Sequence, residues 1–340
     1  MGKYSAPFYE YSNALILRIA DNKSLNRIQK AFLMALSLPY IVIKGLACLV
    51  YDYTIGKCIM YKRISNENKK SYKHDLGFVA IVKNEGDYIR EWIAYHYLRC
   101  GENTIFYIYD NESEDGLKDR IQDFIDKGIV VYTFFPGLQK QLDAYDDAIS
   151  KYKNEVRYMA FIDIDEFLYS KRKDSLQATI QNLIQSNPNA AGLAVNWAIY
   201  GSSGQIHKTE GLVTERFLKR APKDFWGNEH IKTIANPRLV KNFISCHYPL
   251  YKPGCWNINT MGKRQRLWLN SGIDNDIVRL NHYFGKSRDE FIAKKSRGRA
   301  ASGGFYPDFS RFDEYDRNDE YDAGMLEYSD DIKKMTCVNI

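Results

Sequence analysis

The chain has 340 residues, of which 45% are hydrophobic and 14% aromatic. This is enough apolar material for one large folded domain or two ordinary ones, and it excludes a chain that is disordered throughout. A formal net charge of +6 is too modest to name a partner. The six cysteines form no CxxC pair and no short regular spacing, so they do not fit a zinc site or a dense disulfide scaffold, and we expect a reducing compartment.

The amino-terminal segment, residues 1–70, contains one apolar run over residues 31–51, "AFLMALSLPYIVIKGLACLVY". The run is about as long as a bilayer is thick, but it contains Pro39 and Lys44, and a lysine at the centre of a span costs about 3 kcal/mol. Basic residues flank the run on both sides, as is typical of segments that bind to anionic lipids. We therefore expect either peripheral membrane contact or a pair of helices packed on the protein, in preference to a transmembrane helix or a cleaved signal peptide. The expected location is the cytoplasm, including the inner face of the plasma membrane.

Strand and helix patterns alternate from residue 76 onwards. Strand patterns cover residues 76–82, 104–110, 129–135, 157–165 and 190–197, and helical patterns cover residues 87–101, 115–128, 139–153 and 175–185. This alternation predicts an α/β fold with a mixed, mostly parallel sheet flanked by helices. Ligands of such sheets bind outside the carboxyl ends of the strands. Beyond about residue 198 the pattern changes to short strands and loops, which we expect to complete the pocket.

Three carboxylates crowd into the stretch "MAFIDIDEFLY", residues 159–169. Asp163 and Asp165 are two residues apart on the predicted strand, so we expect their side chains on one face and Ile164 on the other. Two converging carboxylates share either a proton or a cation, and oxygen ligands favour Mg²⁺ or Mn²⁺ over zinc. The alternative is that Asp163 caps a loop and Asp165 pairs with a lysine.

The acidic stretch "NESEDG", residues 111–116, has oxygen-bearing side chains at alternating positions before a glycine. A calcium loop of the EF-hand type that started at Asn111 would need a glutamate at its twelfth position, where this chain has Gln122. No Walker pattern, no GxGxxG and no nucleophile elbow follows any predicted strand. The stretch is better interpreted as an acidic turn at a strand end, able to accept hydrogen bonds from ribose hydroxyls or a base.

Six motifs in order over about residues 76–300 carry a family resemblance. They are "VAIVKNEGDYIREWIAYHYLRCG", "YIYDNESEDG", "AFIDIDEFLY", "NWAIYGSSGQ", "HIKTIANP" and "LNHYFGKSRDEFIAKKSRGRA". Together they resemble glycosyltransferase family 92 and related bacterial family-2-like glycosyltransferases. The resemblance implies a GT-A fold over residues 75–300, a nucleotide-sugar donor that is commonly UDP-galactose, a divalent metal and inversion at the anomeric carbon. It covers neither residues 1–70 nor residues 301–340, which we interpret as an acidic, loosely ordered tail.

The resemblance also implies a metal and donor site. It makes Asp163 and Asp165 a DxD pair, with Asp165 the more direct ligand of Mn²⁺ or Mg²⁺ and Asp163 nearer the ribose. His282 is similar to a late histidine that completes the metal shell, the alternative being a hydrogen-bonded core histidine. Donor-binding candidates are Lys83, Glu85, Asp110, Gln141, Asp146, Asp163, Lys232 and Arg297. Among these, Lys232 and Arg297 are the candidates for the diphosphate.

The acceptor side is less well defined by the sequence. An inverting transfer needs a base within hydrogen-bond reach of the acceptor hydroxyl, and Glu215 is the first candidate, followed by Asp224 and Glu229. The rings of Trp197 and Trp226 could stack on a sugar or could belong to the core. Gln205 departs from the family pattern, in which many relatives have histidine.

The motifs and the family resemblance that they carry imply a metal-dependent inverting glycosyltransferase. It would move a hexose, with galactose as the expected sugar, from a UDP-sugar to a saccharide or lipid-linked saccharide acceptor, in the synthesis of surface or capsular polysaccharide. One alternative is a nucleotidyltransferase on a related fold, which would turn over without a sugar acceptor. Another is a basic, tyrosine-rich nucleic-acid-binding module, but the basic residues are dispersed and no known binding motif is present, so no nucleic-acid partner is expected.

Overall fold

The computed structural model of the chain describes residue 19 and residues 25–172, 174–296 and 310–336. The strands are β1 (His74–Val82), β2 (Thr104–Asp110), β3 (Val130–Phe134), β4 (Val156–Phe161), β5 (Glu166–Tyr169), β6 (Ala190–Ile199), β7 (Lys219–Arg220), β8 (Ile231–Ala235), β9 (Val240–Ser245), β10 (Tyr248–Tyr251), β11 (Trp256–Asn259), β12 (Arg264–Gln265), β13 (Arg279–His282) and β14 (Glu320–Tyr321). The helices are α1 (Arg27–Tyr53), α2 (Ile55–Asn68), α3 (Gly86–Cys100), α4 (Leu117–Arg120), α5 (Gln122–Asp126), α6 (Gln141–Tyr152), α7 (Leu176–Gln185), α8 (Val213–Arg216), α9 (Arg288–Ser296), α10 (Ser310–Tyr315) and α11 (Ser329–Thr336), and short 3₁₀ turns cover Trp226–Glu229 and Leu326–Tyr328.

One large sheet forms the centre of the molecule, with the order β12-β11-β6-β8-β4-β1-β2-β3. Strands β4, β1, β2 and β3 run parallel to one another, whereas β8 runs antiparallel to both β4 and β6. Strand β13 extends the sheet sideways, since it pairs in parallel with β6 and antiparallel with β5. The predicted fold class, an α/β mixed sheet flanked by helices, is confirmed.

Both faces of the sheet are buried, as the continuous apolar runs predict. Along β1, Phe78 and Ala80 pack into one apolar cluster with Trp92 of α3, while Val79 packs into the other cluster with Tyr145 of α6. Successive side chains of a strand point to opposite faces, so one strand contributes to both layers. The helices on the two sides therefore hold the strand ends in fixed positions.

The acidic stretch departs from the prediction. The strand expected over residues 157–165 ends at Phe161, which is the last residue of β4 to pair with β1 and β8. Asp163 and Asp165 lie in a turn, where the backbone N–H of Glu166 donates to the Asp163 carbonyl oxygen at 3.1 Å. Both neighbouring strands extend past Phe161, since β1 runs on to Val82 and β8 begins at Ile231, but β4 makes no ladder pairing there. The prediction that the two aspartates share one strand face is therefore wrong.

The predicted helix over residues 115–128 forms as two short helices, α4 and α5. They are separated by Ile121, whose φ and ψ of −114° and 11° are not helical. The Ile121 side chain is fully buried against the sheet. The amphipathic pattern therefore identified the buried face correctly, although the backbone is interrupted.

The carboxy-terminal residues 310–336 pack onto the domain. Ile332 is fully buried, and the carboxylate of Asp316 accepts a hydrogen bond from the backbone of Ser202 at 2.6 Å. Asp322 pairs with the guanidinium of Arg279 at 2.6 Å, and that arginine is only 2% exposed. The expectation of a loosely ordered tail is corrected for these residues, because their acidic side chains serve as specific partners. Residues 301–309 and 337–340 lie outside the described part of the chain.

The amino-terminal helices differ from each other in burial. Helix α1 has the length and apolar composition of a membrane span, and only 6% of its most apolar stretch is buried. Helix α2 buries Met60 and Ile64, and its Lys57 carbonyl oxygen accepts a hydrogen bond from Asn189 at 2.9 Å. Gly254, with a φ of 91°, lies so close to α2 that an added Cβ would be 2.4 Å from the Gly56 oxygen. Helix α2 is thus part of the folded domain, whereas α1 does not pack as a core helix.

Candidate active site

The loops that follow β1 and β2 interlock at the carboxyl edge of the sheet. Asn84 donates its backbone N–H to Ser113 Oγ at 2.9 Å, and its side-chain oxygen accepts from the backbone of Glu114 at 2.8 Å. Asp115 accepts from the Gly86 backbone at 2.7 Å, at the start of α3. The acidic turn predicted at this strand end therefore fixes the loop that carries Glu85.

Two predicted donor-binding carboxylates lie in these loops. Asp110 is buried, and its two oxygens accept from the Ser113 backbone at 2.9 Å and from the Tyr132 hydroxyl at 2.6 Å. Glu85 is also buried, with one carboxylate oxygen 4.0 Å from the ammonium group of Lys286. Asp110 thus organises the loop, while Glu85 lies beside a buried cation.

Asp163 is held by residues of α6 and β8. Its Oδ1 accepts from Gln141 Nε2 at 3.0 Å, and its Oδ2 accepts from Lys232 Nζ at 2.8 Å. Lys232 is buried and also lies 3.5 Å from Glu166 Oε2. Burial lowers the pKa of Lys232, but Asp163 and Glu166 outweigh it and raise that pKa well above its usual range, so the lysine is charged. The predicted residues Gln141, Asp163 and Lys232 are therefore brought together.

Glu166 completes this arrangement as a fully buried carboxyl group. Its Oε2 accepts from the Asp163 backbone N–H at 2.8 Å. Burial and the neighbouring aspartates raise the pKa of Glu166 well above its usual range, despite the opposing effect of Lys232. The side chain supports the turn that presents the two aspartates.

Asp165 points in a different direction from Asp163. Its Oδ2 accepts a hydrogen bond from Lys294 Nζ and lies 3.4 Å from His282 Nε2. The backbone N–H of Tyr283 donates to the Asp165 carbonyl oxygen at 2.9 Å. Burial would raise the pKa of Asp165, but Lys294 and His282 outweigh it and hold the pKa well below its usual range. Asp165 is thus a buried, ionised carboxylate, and it pairs with a lysine as the alternative interpretation expected.

Strand β13 places His282 beside this carboxylate. The strand pairs His282 with Glu166 on β5 and with Ile199 on β6. The imidazole lies against the indole of Trp197, with ring centroids 4.3 Å apart. Burial lowers the pKa of His282 against the opposing effect of Asp165. The neutral imidazole, which burial favours, is the form whose Nε2 can act as a metal ligand. Its Nδ1 is buried and has no hydrogen-bond partner among the described residues.

The predicted metal ligands fit a divalent ion only in part. Across residues 25–172, 174–296 and 310–336, no group of three or more His, Cys, Asp or Glu side chains is arranged to hold a metal ion. The Asp165 and His282 donor atoms converge at 3.4 Å, close to the spacing of adjacent ligands on an ion with bonds of about 2.1 Å. Asp163 does not converge with them, because its oxygens face Gln141 and Lys232. Asp165 and His282 are therefore the pair that fits.

Aromatic rings surround the same site. Trp197 is 7% exposed, and the imidazole of His230 stacks on it at 4.9 Å with an interplanar angle of 17°. His247 lies against Trp197 as well, and burial lowers the pKa of His247 to about 3. Trp226 is 45% exposed. The structure thus covers Trp197 with histidines, which the sequence did not anticipate, and leaves the Trp226 ring accessible.

Some predicted donor residues lie elsewhere. The carboxylate of Asp146 accepts from the Phe243 backbone on β9 at 3.1 Å, so it does not share the side of α6 from which Gln141 reaches Asp163. Lys83 is half-buried at the end of β1. Arg297 lies outside the described residues.

The three candidate bases differ in their surroundings. Glu215 pairs with Lys333 of α11, and this lysine lowers the pKa of Glu215 against the effect of burial. Asp224 is exposed. Glu229 ends the 3₁₀ turn directly before His230, whose imidazole stacks on Trp197. Gln205 does not lie free, because its side chain donates to the Arg216 carbonyl oxygen at 2.7 Å.

Two lysines in the site were not named from the sequence. Lys286 is buried above the Tyr88 ring at 4.0 Å, and Lys294 contacts Asp165. A signal for Lys294 exists in "SRDE", residues 287–290, which forms a capping box between Ser287 and Glu290. The box fixes the start of α9 and places Lys294 one turn beyond Glu290.

The chain is similar to curated plant proteins. A glycosyltransferase family 92 protein of Ricinus communis is 29% identical over 213 residues, which is 62% of this chain and 35% of the relative. Another of Arabidopsis thaliana is 24% identical over 67% of this chain and 38% of the relative. The galactan beta-1,4-galactosyltransferase GALS3 of Arabidopsis thaliana is 26% identical over 35% of this chain and 26% of its own length. The chain thus spans little more than a third of the family 92 relatives that it matches.

Among solved structures, the mannosyltransferase PcManGT of Pyrobaculum calidifontis, in complex with GDP-Man and Mn²⁺, matches with a TM-score of 0.38 and 13% identity over 86% of this chain and 83% of that chain. S. aureus TarS residues 1–349, in complex with UDP-GlcNAc, match with a TM-score of 0.35 and 12% identity over 66% and 65%. Similarities at this level say nothing about the ligands of this chain.

The model of glycosyltransferase family 92 matches residues 79–257. This range is more than half of the chain and ends before His282, and it shows that the chain belongs to glycosyltransferase family 92.

Proposed function

We propose that the chain is an inverting hexosyltransferase that moves galactose from UDP-galactose to a saccharide hydroxyl. The observation that carries the proposal is the buried carboxylate of Asp165 with His282 Nε2 3.4 Å away, at the carboxyl edge of the sheet of a family 92 member. Galactose is chosen as the sugar because a relative is named a galactan galactosyltransferase. Family membership supports glycosyl transfer, and the geometry supports a donor site at this edge.

In this proposal the donor lies between the loops after β1 and β2 and the turn at Asp163. Glu85 and Asp110 lie on the nucleoside side, where their carboxylates can accept hydrogen bonds from hydroxyl groups. Lys286 lies between the Tyr88 ring and Glu85 and supplies a fixed positive charge for the diphosphate. Lys232 and Gln141 hold the side chain of Asp163 in one orientation toward the ribose.

The metal proposed for the reaction is Mn²⁺ or Mg²⁺, with Asp165 and His282 as the residues that would hold it. The carboxylate of Asp165 supplies an oxygen ligand of the kind that both ions prefer. When bound, such an ion stabilises the negative charge that develops on the departing diphosphate. The buried position of both side chains keeps water away from this charge and strengthens the interaction.

The acceptor base is proposed to be Glu229. It stands beside His230 and follows the exposed ring of Trp226, on which an acceptor sugar can stack. Glu215, the first candidate from the sequence, is already paired with Lys333. Glu229→Gln should therefore lower kcat strongly while UDP binding is retained, since a base contributes about 10²- to 10⁴-fold. Glu215→Gln is the matched control.

We also propose that the protein works at the cytoplasmic face of the plasma membrane, on a saccharide or lipid-linked saccharide of a surface or capsular polysaccharide. The support is helix α1, whose side chains Phe32, Leu36 and Ile43 are all more than 60% exposed. An apolar patch of this size on a soluble surface is unfavourable, and a lipid surface would cover it.

Calorimetric titration of UDP and UDP-galactose, with Mn²⁺ and with a chelator, tests the donor site. We expect metal-dependent binding that Asp165→Asn weakens about 100-fold or more, because the substitution removes the charged ligand. Asp163→Asn is the matched control, and it should weaken binding much less, since its side chain faces Lys232 and Gln141.

Transfer itself is tested by incubating UDP-galactose with saccharide acceptors and measuring UDP release and the anomeric configuration of the product. Folded wild-type protein that binds no nucleotide diphosphate in the presence of metal would rule out the proposed function. Equal effects of the two asparagine variants would contradict the assignment of Asp165 and His282 as the metal residues.

A further inference from the structure

The buried carboxylate of Asp165 carries a built-in counter-ion. Lys294 Nζ donates to Asp165 Oδ2, the same oxygen that lies 3.4 Å from His282 Nε2. The ammonium group is therefore placed on the oxygen that a divalent ion would need. Asp165 is only 4% exposed, and a charge buried to this extent is unfavourable without a partner of opposite charge. The ammonium group of Lys294 supplies that partner.

The backbone that carries Lys294 is firmly anchored. Glu290, one turn earlier on α9, forms a buried ion pair with Arg216 at 2.8 Å and accepts from the Tyr88 hydroxyl at 2.8 Å. Ser287 and Glu290 close the capping box at the helix start. Only the side chain of Lys294 is free to change partner, because movement of α9 would break all these contacts.

The Lys294 side chain has a route away from Asp165. It is 28% exposed, whereas the side chain of Asp165 is 5% exposed. Its other contacts are weaker, namely the Phe284 carbonyl oxygen at 3.4 Å and the face of the Phe284 ring at 5.5 Å. Because the lysine side chain has a flexible four-carbon stem, its ammonium group can leave the carboxylate toward solvent without any movement of the backbone.

We propose that Lys294 exchanges between two anions during binding. In the donor-free protein it neutralises Asp165, and a divalent ion that binds Asp165 and His282 displaces it. The released ammonium then pairs with the diphosphate of the nucleotide sugar, beside the buried Lys286. This inference rests on the proposed function and assigns Lys294 as the residue that couples metal binding to donor binding.

Two consequences follow from this exchange. Without nucleotide, the metal must compete with Lys294, so wild-type protein binds Mn²⁺ weakly. With nucleotide, the displaced lysine gains a new partner, so metal and nucleotide strengthen each other's binding to the same extent. Lys294 is in this sense a binding residue for the donor as well as a competitor of the metal.

Titration of the 340-residue chain with Mn²⁺ alone, followed by calorimetry and by quenching of tryptophan emission, tests whether Lys294 competes with the metal. Lys294→Met removes the ammonium group at nearly constant side-chain length and should tighten Mn²⁺ binding about tenfold. This effect is small for the loss of a charge pair, because the lysine is partly exposed to solvent. Lys294→Arg keeps a cation on Asp165 and should retain the wild-type affinity. Lys241→Met removes a charge from an exposed residue of β9 and controls for net charge.

Titration with UDP at saturating Mn²⁺ tests the diphosphate role of Lys294. Lys294→Met should weaken UDP binding about tenfold, because the diphosphate loses one cation. Unchanged or weaker Mn²⁺ binding by Lys294→Met, with the protein folded by circular dichroism, overturns the competition. Unchanged UDP binding overturns the diphosphate role.

The same titrations separate failure of this inference from failure of the proposed function. If neither wild type nor Lys294→Met binds Mn²⁺, the exchange is overturned, while UDP-galactose binding in chelator would leave a metal-independent transferase in place. If Mn²⁺ binds as expected but no variant binds any nucleotide diphosphate, the competition stands and the proposed donor site is rejected.

Discussion

At the scale of single residues, Lys232 shows how the site is held together. Its ammonium group lies 2.8 Å from Asp163 and 3.5 Å from Glu166, and its side chain is 1% exposed. A buried cation between two carboxyl groups is tolerated only because each partner offsets part of the desolvation of the others. The turn that presents Asp165 depends on this arrangement, since Glu166 accepts from the backbone of Asp163.

Lys232→Met is therefore expected to lower the free energy of unfolding by about 3 kcal/mol, because it leaves Glu166 and Asp163 without their cation. Urea denaturation measures the loss. In the double variant Lys232→Met with Glu166→Gln, part of the loss should be recovered, since the buried carboxyl group is then neutral at every pH. A loss below about 0.5 kcal/mol, as expected for Lys241→Met at an exposed site, would contradict the structural role of Lys232.

At the scale of elements, the buried pair of Arg216 and Glu290 joins α8 to α9. Their side chains are 5% and 4% exposed, and Tyr88 of α3 donates to the same glutamate. Burial raises the pKa of Glu290, but hydrogen bonds from Arg216, Ser287 and Tyr88 outweigh it and bring the pKa to about 2. Three elements thus meet on one carboxylate.

This depressed pKa predicts a defined pH dependence. Glu290 stabilises the fold fully above its unfolded pKa of about 4.3, and the stabilisation is lost as the pH falls through about 2. The difference in unfolding free energy between wild type and Glu290→Gln should therefore be largest above about pH 5 and shrink as the pH is lowered toward 2. A difference that is constant with pH would show that ionisation of Glu290 does not contribute.

Asp322, directly after β14, joins β13 to β7 and gives a second prediction at this scale. Asp322 accepts from Arg279, which is almost fully buried, and from Arg220 at 2.9 Å. Asp322→Ala leaves Arg279 without a carboxylate and should cost about 3 kcal/mol of stability in a denaturant titration. Asp331→Ala, at an exposed surface pair with Lys334, should change stability by less than about 1 kcal/mol.

The elements also show what the sequence could predict. Strand β2 begins and ends at the predicted residues, because its apolar run is bounded by polar turns within the chain itself. The end of β4 at Phe161 is not recorded in any local pattern, since the apolar run continues to Ile162 and both β1 and β8 extend past Phe161 without pairing with β4 there. The contact of Lys294 with Asp165 joins residues 129 positions apart, so the sequence identified the aspartate but not its partner.

At the scale of the whole molecule, helix α1 differs from the folded domain because its apolar side chains are exposed instead of buried. Helix α1 has 27 residues, which span about 40 Å at 1.5 Å per residue, and its apolar side chains are exposed along its length. Lys44 lies nine residues before the end of the helix, close enough for its ammonium group to reach a headgroup region. The exposed apolar side chains of α1 are thus the support for the proposed membrane contact.

We expect the protein to sediment with vesicles that contain anionic lipid, and a variant without residues 1–53 to remain in the supernatant. Because the residues that flank the apolar run are basic, vesicle binding should be stronger at low salt. Part of the vesicle binding should remain at about 1 M salt, because burial of apolar side chains in lipid does not depend on charge. The truncated protein keeps α2 and should bind UDP as the full chain does. Vesicle binding that survives the truncation would place the membrane contact elsewhere.

The junction at Thr54 has a consequence for how far the protein can reach. A single residue separates α1 from α2, and α2 is tied to the domain through Glu67 and Arg238 at 2.7 Å as well as through Asn189. A folded domain on a long flexible linker would occupy a wide range of distances from a bilayer. The one-residue junction of this chain restricts that range. With α1 seated in lipid, the carboxyl edge of the sheet would stay in one layer above the headgroups, and only acceptors that present a hydroxyl at that height would be glycosylated.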